Sequence, residues 1–362
     1  MALKWLIVAG GTGGHLFPAI AIAEELLKKG RKVEFVSGMR DVEKMILKDM
    51  PFKVHHIDVE GFLGRGILKQ MRAFYKLNRA ILKSLFIVKE FNPDVIFATG
   101  GYVSVPVVIA GKLKGKPTGL HEQNSIPGVA NRLLSRLVDR VFISIRGSEV
   151  YFPKKKVVLS GNPVRESVIK GGKKEKEGKQ LLILGGSLGA RFINTVSLKV
   201  VPELLKKIKE LRVVHQTGTA DFERVEAEYE RILGKEELRR IKVFPFIKDM
   251  GSAYGASDLV LARAGATTLA ELFATGKPAV FIPFPHATHN HQEKNAELVA
   301  KKGGAILMRE KEVTPEKLLE TLYNLLTSDK KLKEMAEIMK SFYIPDSKEV
   351  IIKEMEGFLG HA

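Results

Sequence analysis

The sequence predicts an α/β protein built from two Rossmann-like, doubly wound domains with parallel sheets. Three observations support this fold class. The chain has 362 residues, which is more than a single hydrophobic core usually holds. Short, continuously apolar strands alternate with amphipathic helical segments, a pattern typical of parallel sheets covered on both faces. This alternation occurs twice, and each series opens with a strand that runs into a glycine turn.

The predicted strands fall into two series separated by a polar segment. The first series covers residues 3–9, 32–37, 95–99, 118–121, 141–144 and 157–159. The second covers residues 180–184, 213–217, 241–244, 259–262, 279–282 and 305–308. Between them, residues 161–179 carry too little apolar surface to order strongly. We therefore predict one domain over residues 1–161 and a second over 162–344, with a C-terminal helix, 345–362, joining the first.

The composition restricts the possible functions. The chain contains no cysteine, so disulfide frameworks and thiolate metal sites are excluded. No apolar run approaches the roughly 18–20 residues of a transmembrane helix. The apolar stretch at residues 4–9 is short and lacks the flanks of a signal peptide. These features fit a globular protein in a reducing, cytoplasmic location.

The positive charge is concentrated in the first part of the chain. The net charge is +18, from 59 Lys and Arg against 41 Asp and Glu. Residues 1–161 contain 26 basic and 13 acidic side chains, a balance of +13, whereas residues 162–362 contain 33 and 28, a balance of +5. Such an excess favours an anionic lipid, a phosphorylated substrate or a nucleic acid as partner. A lysine-rich surface of the thermophilic kind would also explain the total.

The first motif that carries chemistry is the glycine turn at residues 10–14, which is followed by His15. A strand leads into the turn, and a helix is predicted over residues 19–29. Glycine lets backbone N–H groups approach a phosphate or sugar at the positive end of a helix, although tight turns also need glycine for steric reasons. A histidine here can take a proton near neutral pH, so His15 is a candidate general base, with a structural role as the alternative.

Two more segments predict a pyrophosphate and ribose site. The glycine turn at residues 185–190 matches neither the dinucleotide nor the P-loop spacing, but a backbone nest with Ser187 as an extra donor suits a pyrophosphate. Arg165, at the predicted domain boundary, suits the same group. Glu271 lies about one turn into a helix that small residues open, where it could accept ribose hydroxyls or simply complement the helix dipole. The three histidines at 286–291 match no common zinc spacing.

Together these motifs resemble the MurG family, the bacterial N-acetylglucosaminyltransferases that complete the lipid intermediate of peptidoglycan. The resemblance covers essentially the whole chain. It rests on Gly-Gly-Thr-Gly-Gly-His at 10–15, Gly-Gly-Tyr-Val-Ser at 100–104, His-Glu-Gln-Asn at 121–124, Gly-Asn-Pro-Val-Arg at 161–165, Gly-Gly-Ser-x-Gly-Ala at 185–190 and the helix start at 265–271. Val105, where members often carry glycine, departs from the pattern.

The resemblance implies a GT-B fold with two domains facing a cleft, and an inverting transfer of N-acetylglucosamine from UDP-N-acetylglucosamine to undecaprenyl-pyrophosphoryl-muramoyl-pentapeptide. The first domain would take the acceptor and the second the donor, at the cytoplasmic face of the bacterial membrane. His15 would be the base. The other implied site residues are Thr12, Gly13, Gly14, Asn124, Arg165, Ser187, Ile247, Ala266, Thr267, Thr268, Leu269, Glu271 and Gln292.

Several alternatives remain open at this stage. Another UDP-sugar transferase acting on a glycolipid, or a UDP-sugar epimerase, would use the same scaffold. A nucleic-acid binder would explain the charge but not the glycine loops, so no nucleic-acid partner is expected. No Asp-x-Asp occurs in the sequence, and we therefore expect no metal or other cofactor.

A basic stripe suggests how such an enzyme would reach a lipid. Its members recur every three or four residues without an acid among them: Arg65, Lys69, Arg72, Lys76, Arg79 and Lys83. On a helix, at about 100° per residue, they would line one face beside a broad apolar surface. That pattern is typical of a segment lying on an anionic leaflet. The alternative is an ordinary helix with a solvated basic face.

Overall fold

The computed structural model describes residues 2–60, 67–171, 178–186, 189–287 and 290–360, and of residues 67–70 it describes the backbone only. Two compact units are present. Unit 1 comprises Met1–Arg165 and Ile344–Ala362, and unit 2 comprises Glu166–Tyr343. Each unit has a parallel sheet with helices between its strands. The predicted α/β fold class is confirmed.

Unit 1 is built on a parallel sheet of seven strands. These are β1 (Lys4–Val8), β2 (Lys32–Ser37), β3 (Lys53–His56), β4 (Val95–Ala98), β5 (Thr118–Glu122), β6 (Arg140–Ile143) and β7 (Val157–Leu159). The helices are α1 (Gly13–Lys28), α2 (Asp41–Leu47), α3 (Ile67–Phe91), α4 (Ser104–Leu113), α5 (Val129–Leu134) and, from the end of the chain, α15 (Ser347–Glu356). The strand order, β3-β2-β1-β4-β5-β6-β7, reverses between β1 and β4.

Unit 2 repeats this plan with six strands. These are β8 (Gln180–Leu184), β9 (Arg212–Gln216), β10 (Ile241–Phe244), β11 (Leu259–Ala262), β12 (Ala279–Phe281) and β13 (Ala305–Leu307), in the order β10-β9-β8-β11-β12-β13. The helices are α6 (Glu166–Ile169), α7 (Arg191–Lys207), α8 (Phe222–Ile232), α9 (Lys235–Leu238), α10 (Met250–Ala256), α11 (Ala266–Thr275), α12 (His291–Ala300), α13 (Pro315–Leu326) and α14 (Asp329–Ser341). The order reverses between β8 and β11.

Strand β1 shows why the apolar runs form buried strands. Leu6 and Val8 belong to one apolar cluster, whereas Trp5 and Ile7 belong to another. Successive strand residues point to opposite faces, so a strand covered on both sides needs an unbroken apolar run. Helix α15 contributes Ile351, Ile352 and Met355 to the second cluster. In the described part of the chain, no helix combines the length and apolar character needed to cross a bilayer.

Two local elements differ from the sequence prediction. Strand β3 was not predicted, because its Lys-Val-His-His sequence lacks an apolar run; it lies at the sheet edge, where His55 Nε2 lies 2.6 Å from Glu34 Oε2. Helix α1 begins at Gly13, before the predicted start at residue 19, and carries Pro18 inside it. The glycine turn therefore leads directly into the helix, and His15 occupies the first helical turn.

A buried histidine in unit 2 predicts a loss of stability in acid. Burial lowers the pKa of His215 to about 3, below the ordinary value of about 6.5 expected in the unfolded chain. The unfolded state therefore binds the extra proton as the pH falls below about 6.5, so this group reduces the free energy of unfolding by about 2 kcal/mol between pH 7 and 5. Urea unfolding at several pH values should show a weaker pH dependence in His215→Gln. Parallel pH profiles for parent and variant would contradict this assignment.

Candidate active site

The predicted motifs of both units lie at the carboxyl ends of central strands. In unit 1, the turn at residues 10–14 follows β1, the turn at 100–101 follows β4, and residues 123–128 follow β5. Carboxyl ends of parallel strands meet at one edge of the sheet, and ligands of doubly wound folds bind there, where the strand order reverses. The topology thus brings these three segments together.

The two glycine turns of unit 1 are in direct contact. Gly101 has φ +82°, and a Cβ there would overlap the carbonyl oxygen of Gly10. Gly100 has φ +111°, and a Cβ there would lie 2.9 Å from the His15 ring. Positive φ favours glycine, and in addition no side chain fits at these points. The two glycines therefore allow the His15 ring to pack directly against the backbone of the turn at residues 100–101.

His15 is partly buried and held from two sides. Its Nδ1 lies 2.9 Å from Oε1 of Gln123, the residue that follows β5. The Thr99 hydroxyl, which follows β4, donates to the His15 carbonyl oxygen at 2.8 Å. The histidine predicted from the first motif thus contacts the other two segments at the sheet edge, which is the environment expected of a reactive group.

Two buried carboxylates organise the loops of unit 1. Glu122 accepts hydrogen bonds from the backbone and side-chain nitrogens of Asn124, at 2.9 and 3.1 Å, and from Asn131 Nδ2 at 2.9 Å. This places Asn124, a predicted site residue. Glu43 accepts from the Gly11 backbone at 2.5 Å and the Arg40 backbone at 2.9 Å. The sequence analysis missed Glu43, because nothing local links it to a glycine turn more than thirty residues earlier.

Arg165 ends the first segment of unit 1 beside helix α1. Its guanidinium carbon lies 4.1 Å from the centre of the Phe17 ring, a stacking arrangement that suits a planar cation. Burial raises the pKa of the nearby Glu24 carboxyl, while the positive charge of Arg165 acts in the opposite direction. Arg165 therefore packs against the face of α1 that carries Phe17 and Glu24, in the turn that follows the glycines.

The predicted donor residues of unit 2 collect around the start of helix α11. Ala266, Thr267, Thr268 and Leu269 form its first turn, with Gly265 as the N-cap. Backbone N–H groups at such an N-terminus are suited to phosphate oxygens. Glu271 is buried, and the Tyr254 hydroxyl donates to its Oε2 at 3.0 Å. Tyr254 was not singled out from the sequence, since it lies on a different helix.

Two glutamines connect the remaining loops of unit 2. Gln216 donates to the Gly186 carbonyl at 3.0 Å and accepts from the Ile247 backbone N–H at 2.8 Å. Gln216 thereby connects the glycine turn that follows β8 to Ile247, a predicted donor residue. No sequence pattern revealed this role. Gln292, which was predicted, accepts from the Phe284 backbone N–H at 3.0 Å. Ser187 lies outside the described residues.

The predicted basic stripe is partly neutralised by acids from the preceding segment. Lys76 pairs with Asp58 at 2.8 Å and with Glu60 at 2.5 Å, and Arg72 lies 3.7 Å from Glu60. Lys83 donates to the His56 carbonyl at 2.8 Å. Arg65 lies outside the described residues, as does the side chain of Lys69. The same helix exposes an apolar face, each member of which is 61–68% accessible: Met71, Phe74, Tyr75, Leu82 and Phe86.

The histidine-rich loop at 286–291 was the one segment whose composition raised the question of a metal. Within the described ranges, no group of three or more His, Asp or Glu side chains could hold a metal ion. Of the three histidines at 286–291, His289 lies outside these ranges. His286 packs edge-on against Phe284, with ring centres 5.6 Å apart.

Comparison with known proteins gives matches over both units. The model of the glycosyltransferase family 28 N-terminal domain matches residues 5–143, and that of the C-terminal domain matches residues 180–351. A relative from Syntrophus aciditrophicus is 44% identical over 342 residues, covering 92% of this chain and 93% of the relative. One from Desulfotalea psychrophila is 42% identical, covering 89% and 88%. Both are named UDP-N-acetylglucosamine--N-acetylmuramyl-(pentapeptide) pyrophosphoryl-undecaprenol N-acetylglucosamine transferase.

Solved structures agree with these matches. Acinetobacter baumannii MurG superposes with a TM-score of 0.74 at 31% identity, covering 98% of this chain and 99% of that one. A UDP-GlcNAc 2-epimerase from Neisseria meningitidis reaches a TM-score of 0.68 at only 16% identity, which shows a shared fold alone. The chain thus carries both domains of a family 28 glycosyltransferase, with the GT-B fold. Within that class it belongs to the MurG family, and the resemblance seen in the motifs is confirmed.

Proposed function

We propose that the protein transfers N-acetylglucosamine from UDP-N-acetylglucosamine to the muramoyl sugar of undecaprenyl-pyrophosphoryl-muramoyl-pentapeptide, in peptidoglycan synthesis. The observation that carries this proposal is the 44% identity, over 92% of the chain, to a relative named for this reaction. The motifs at the carboxyl ends of the strands supply groups that such a reaction needs. Unit 1 would take the acceptor, and unit 2 the donor.

The proposed chemistry is a single displacement at the anomeric carbon. The acceptor hydroxyl oxygen forms the new bond to this carbon as the bond to the UDP oxygen breaks, which inverts the configuration. His15 takes the proton from the attacking hydroxyl. Arg165 and the backbone N–H groups at the start of α11, with Ser187, stabilise the charge on the departing pyrophosphate. Because these groups carry that role, we propose that transfer needs no metal ion.

The other predicted residues divide between donor and acceptor. Glu271 accepts the ribose hydroxyls, and Ile247 and Gln292 line the donor with the first turn of α11. Thr12, Gly13, Gly14 and Asn124 approach the sugar, the acceptor hydroxyl or the acceptor pyrophosphate. Support comes from the position of Gly13 and Gly14 in the first turn of α1, because the N-terminus of a helix is suited to an anion.

The deciding experiment is transfer of radiolabelled sugar from UDP-N-acetylglucosamine to a lipid-linked muramoyl-pentapeptide. We expect acceptor-dependent transfer that persists in a chelator. Donor conversion without acceptor would instead identify an epimerase, and transfer only to a different glycolipid would identify another transferase. Loss of activity in the chelator, with recovery on adding a divalent cation, would contradict the metal-free mechanism.

We further propose that α3 docks the enzyme reversibly on the cytoplasmic face of an anionic membrane. Its exposed apolar face, at residues 71, 74, 75, 82 and 86, would enter the interface. Arg79, which lies 5.8 Å over the Tyr75 ring, and its basic neighbours would face lipid phosphates, each adding at most about 1 kcal/mol. Because Asp58 and Glu60 pair with the centre of the basic stripe, the apolar face contributes more than the sequence alone suggested.

The docking proposal predicts weaker binding to vesicles when the apolar face of α3 is made polar. Combining Phe74→Ser, Tyr75→Ser and Leu82→Ser should weaken sedimentation with anionic vesicles about tenfold or more, because apolar burial is lost. Arg79→Glu should weaken it mainly at low salt. Tyr323→Ser serves as the matched control, since Tyr323 in unit 2 is also exposed beneath a lysine. Equal binding by parent and triple variant would reject docking through α3, and equal binding of the parent to anionic and neutral vesicles would reject a role for the basic stripe.

A further inference from the structure

We propose that Gln123 and His121 are positioning residues that hold His15 with its proton on Nδ1, so that Nε2 is the proton acceptor. The inference rests on the role of base proposed for His15. A neutral imidazole can act as a base only through its unprotonated nitrogen. The hydrogen bond made by the protonated nitrogen determines which of the two nitrogens stays unprotonated. The hydrogen-bond network around His15 determines this tautomer, because it ends at two carbonyl oxygens that can only accept hydrogen bonds.

The first fixed group is the carbonyl oxygen of Thr99. It lies 2.8 Å from Nε2 of Gln123. A carbonyl oxygen accepts and never donates, so the nitrogen of the Gln123 amide must face it. The amide oxygen, Oε1, is thereby directed to His15 Nδ1 at 2.9 Å.

The second fixed group is the carbonyl oxygen of Gly161. It lies 3.0 Å from Nε2 of the fully buried His121, so this nitrogen must donate. Burial lowers the pKa of His121 to about 4, which keeps its ring neutral at physiological pH. Its Nδ1 then carries a lone pair and accepts from Gln123 Nε2 at 3.0 Å. Both hydrogens of the Gln123 amide are therefore used, and a flipped amide would lose both bonds in a buried site.

His15 consequently has one tautomer that satisfies its surroundings. Oε1 of Gln123 accepts only, so His15 Nδ1 must donate to it, which leaves the lone pair on Nε2. The same bond persists when Nε2 takes a proton, since Nδ1 still donates. In the other tautomer, two lone pairs would face each other across 2.9 Å. The position of the ring is further fixed by its contact with Gly100 and by the hydrogen bond from the Thr99 hydroxyl to the His15 carbonyl oxygen.

The test combines a spectroscopic readout with kinetics. In protein labelled with ¹⁵N-histidine, long-range ¹H–¹⁵N spectra report the tautomer of His15, assigned by its absence in His15→Asn. We expect Nδ1–H in the parent and a mixture in Gln123→Met. The same variant should lower kcat about tenfold or more, up to the roughly 10²–10⁴-fold contribution of a general base, while KM for UDP-N-acetylglucosamine changes less than about twofold.

Thr118→Val is the matched control. Thr118 is buried on the same strand, β5, and hydrogen-bonds Asp139 at the opposite end, so its loss should alter stability but neither kcat nor tautomer. An Nε2–H tautomer in the parent overturns the proposal, even if Gln123→Met fails to fold. A fall in kcat without a tautomer change also overturns it. If the parent transfers no sugar, the proposed function fails, while the spectra still decide the tautomer.

Discussion

Replacing His15 by alanine should lower kcat about 10²–10⁴-fold while leaving the affinity for UDP-N-acetylglucosamine within about twofold. The large effect is expected because His15 is the proposed acceptor of the hydroxyl proton and is held on both sides, by Gln123 and by Thr99. The donor affinity should survive because His15 is not among the groups proposed to hold UDP, which are Arg165 in unit 1 and the residues of unit 2 around α11. Turnover measured with both substrates saturating, together with calorimetry for the donor, separates the two quantities.

His55→Ala is the matched control for this substitution. His55 is also a partly buried histidine of unit 1 with a ring nitrogen in a polar contact, in this case to Glu34, but it lies on the edge strand β3 away from the glycine turns. Its loss should leave kcat near the parent value. If His15→Ala also kept near-parental turnover, another group or water would have to take the proton, and the role of Gln123 would lose its basis.

The fold could be predicted largely because parallel strands covered on both faces leave a strong local signal. Residues 32–37 and 180–184 form strands with the predicted bounds, since each is a short segment rich in apolar or β-branched residues next to a turn. Strand β3 could not be predicted in this way. It lies at the edge of the sheet and is only partly buried, so it does not need a continuous run of apolar side chains. The start of α1 was placed too late, since Pro18 suggested a helix beginning after it rather than containing it.

Residues of the candidate site could be predicted only where a local sequence motif marks them. Glycine turns and polar loops stand out in the sequence, so His15, Asn124 and the start of α11 could be named. Their supporting residues could not be: Gln216 reaches Ile247 across 31 positions, and Tyr254 reaches Glu271 across 17. Such pairings depend on the order of strands in a sheet, which local patterns do not encode. The acids that pair with Lys76 lie 18 and 16 positions before it, in the segment that precedes α3 and outside the spacing that defines the basic stripe.

Glu271→Ala should weaken binding of UDP-N-acetylglucosamine by about 1–3 kcal/mol, which is roughly 5–150-fold in Kd. The proposed reason is that two ribose hydroxyls would lose a charged acceptor in a largely buried site, where an unpaired polar group is costly. The carboxylate is held by the Tyr254 hydroxyl at 3.0 Å, so its position does not depend on the ligand. Glu271→Gln keeps an acceptor for Tyr254 and should fall between alanine and the parent.

Two further variants separate ribose binding from a purely structural role of Glu271. Tyr254→Phe removes only the hydroxyl that donates to Glu271. It should weaken binding of UDP-N-acetylglucosamine by about 0.5–1.5 kcal/mol, the usual net contribution of one hydrogen bond. Thr275→Val removes a side-chain bond to the Glu271 carbonyl on the same helix and should leave donor affinity unchanged if the carboxylate is what matters. Uridine, which retains the ribose, should lose affinity by the same factor as the full donor in Glu271→Ala. If calorimetry gave parental affinity for that variant, Glu271 would be only a buried group that stabilises α10 against α11.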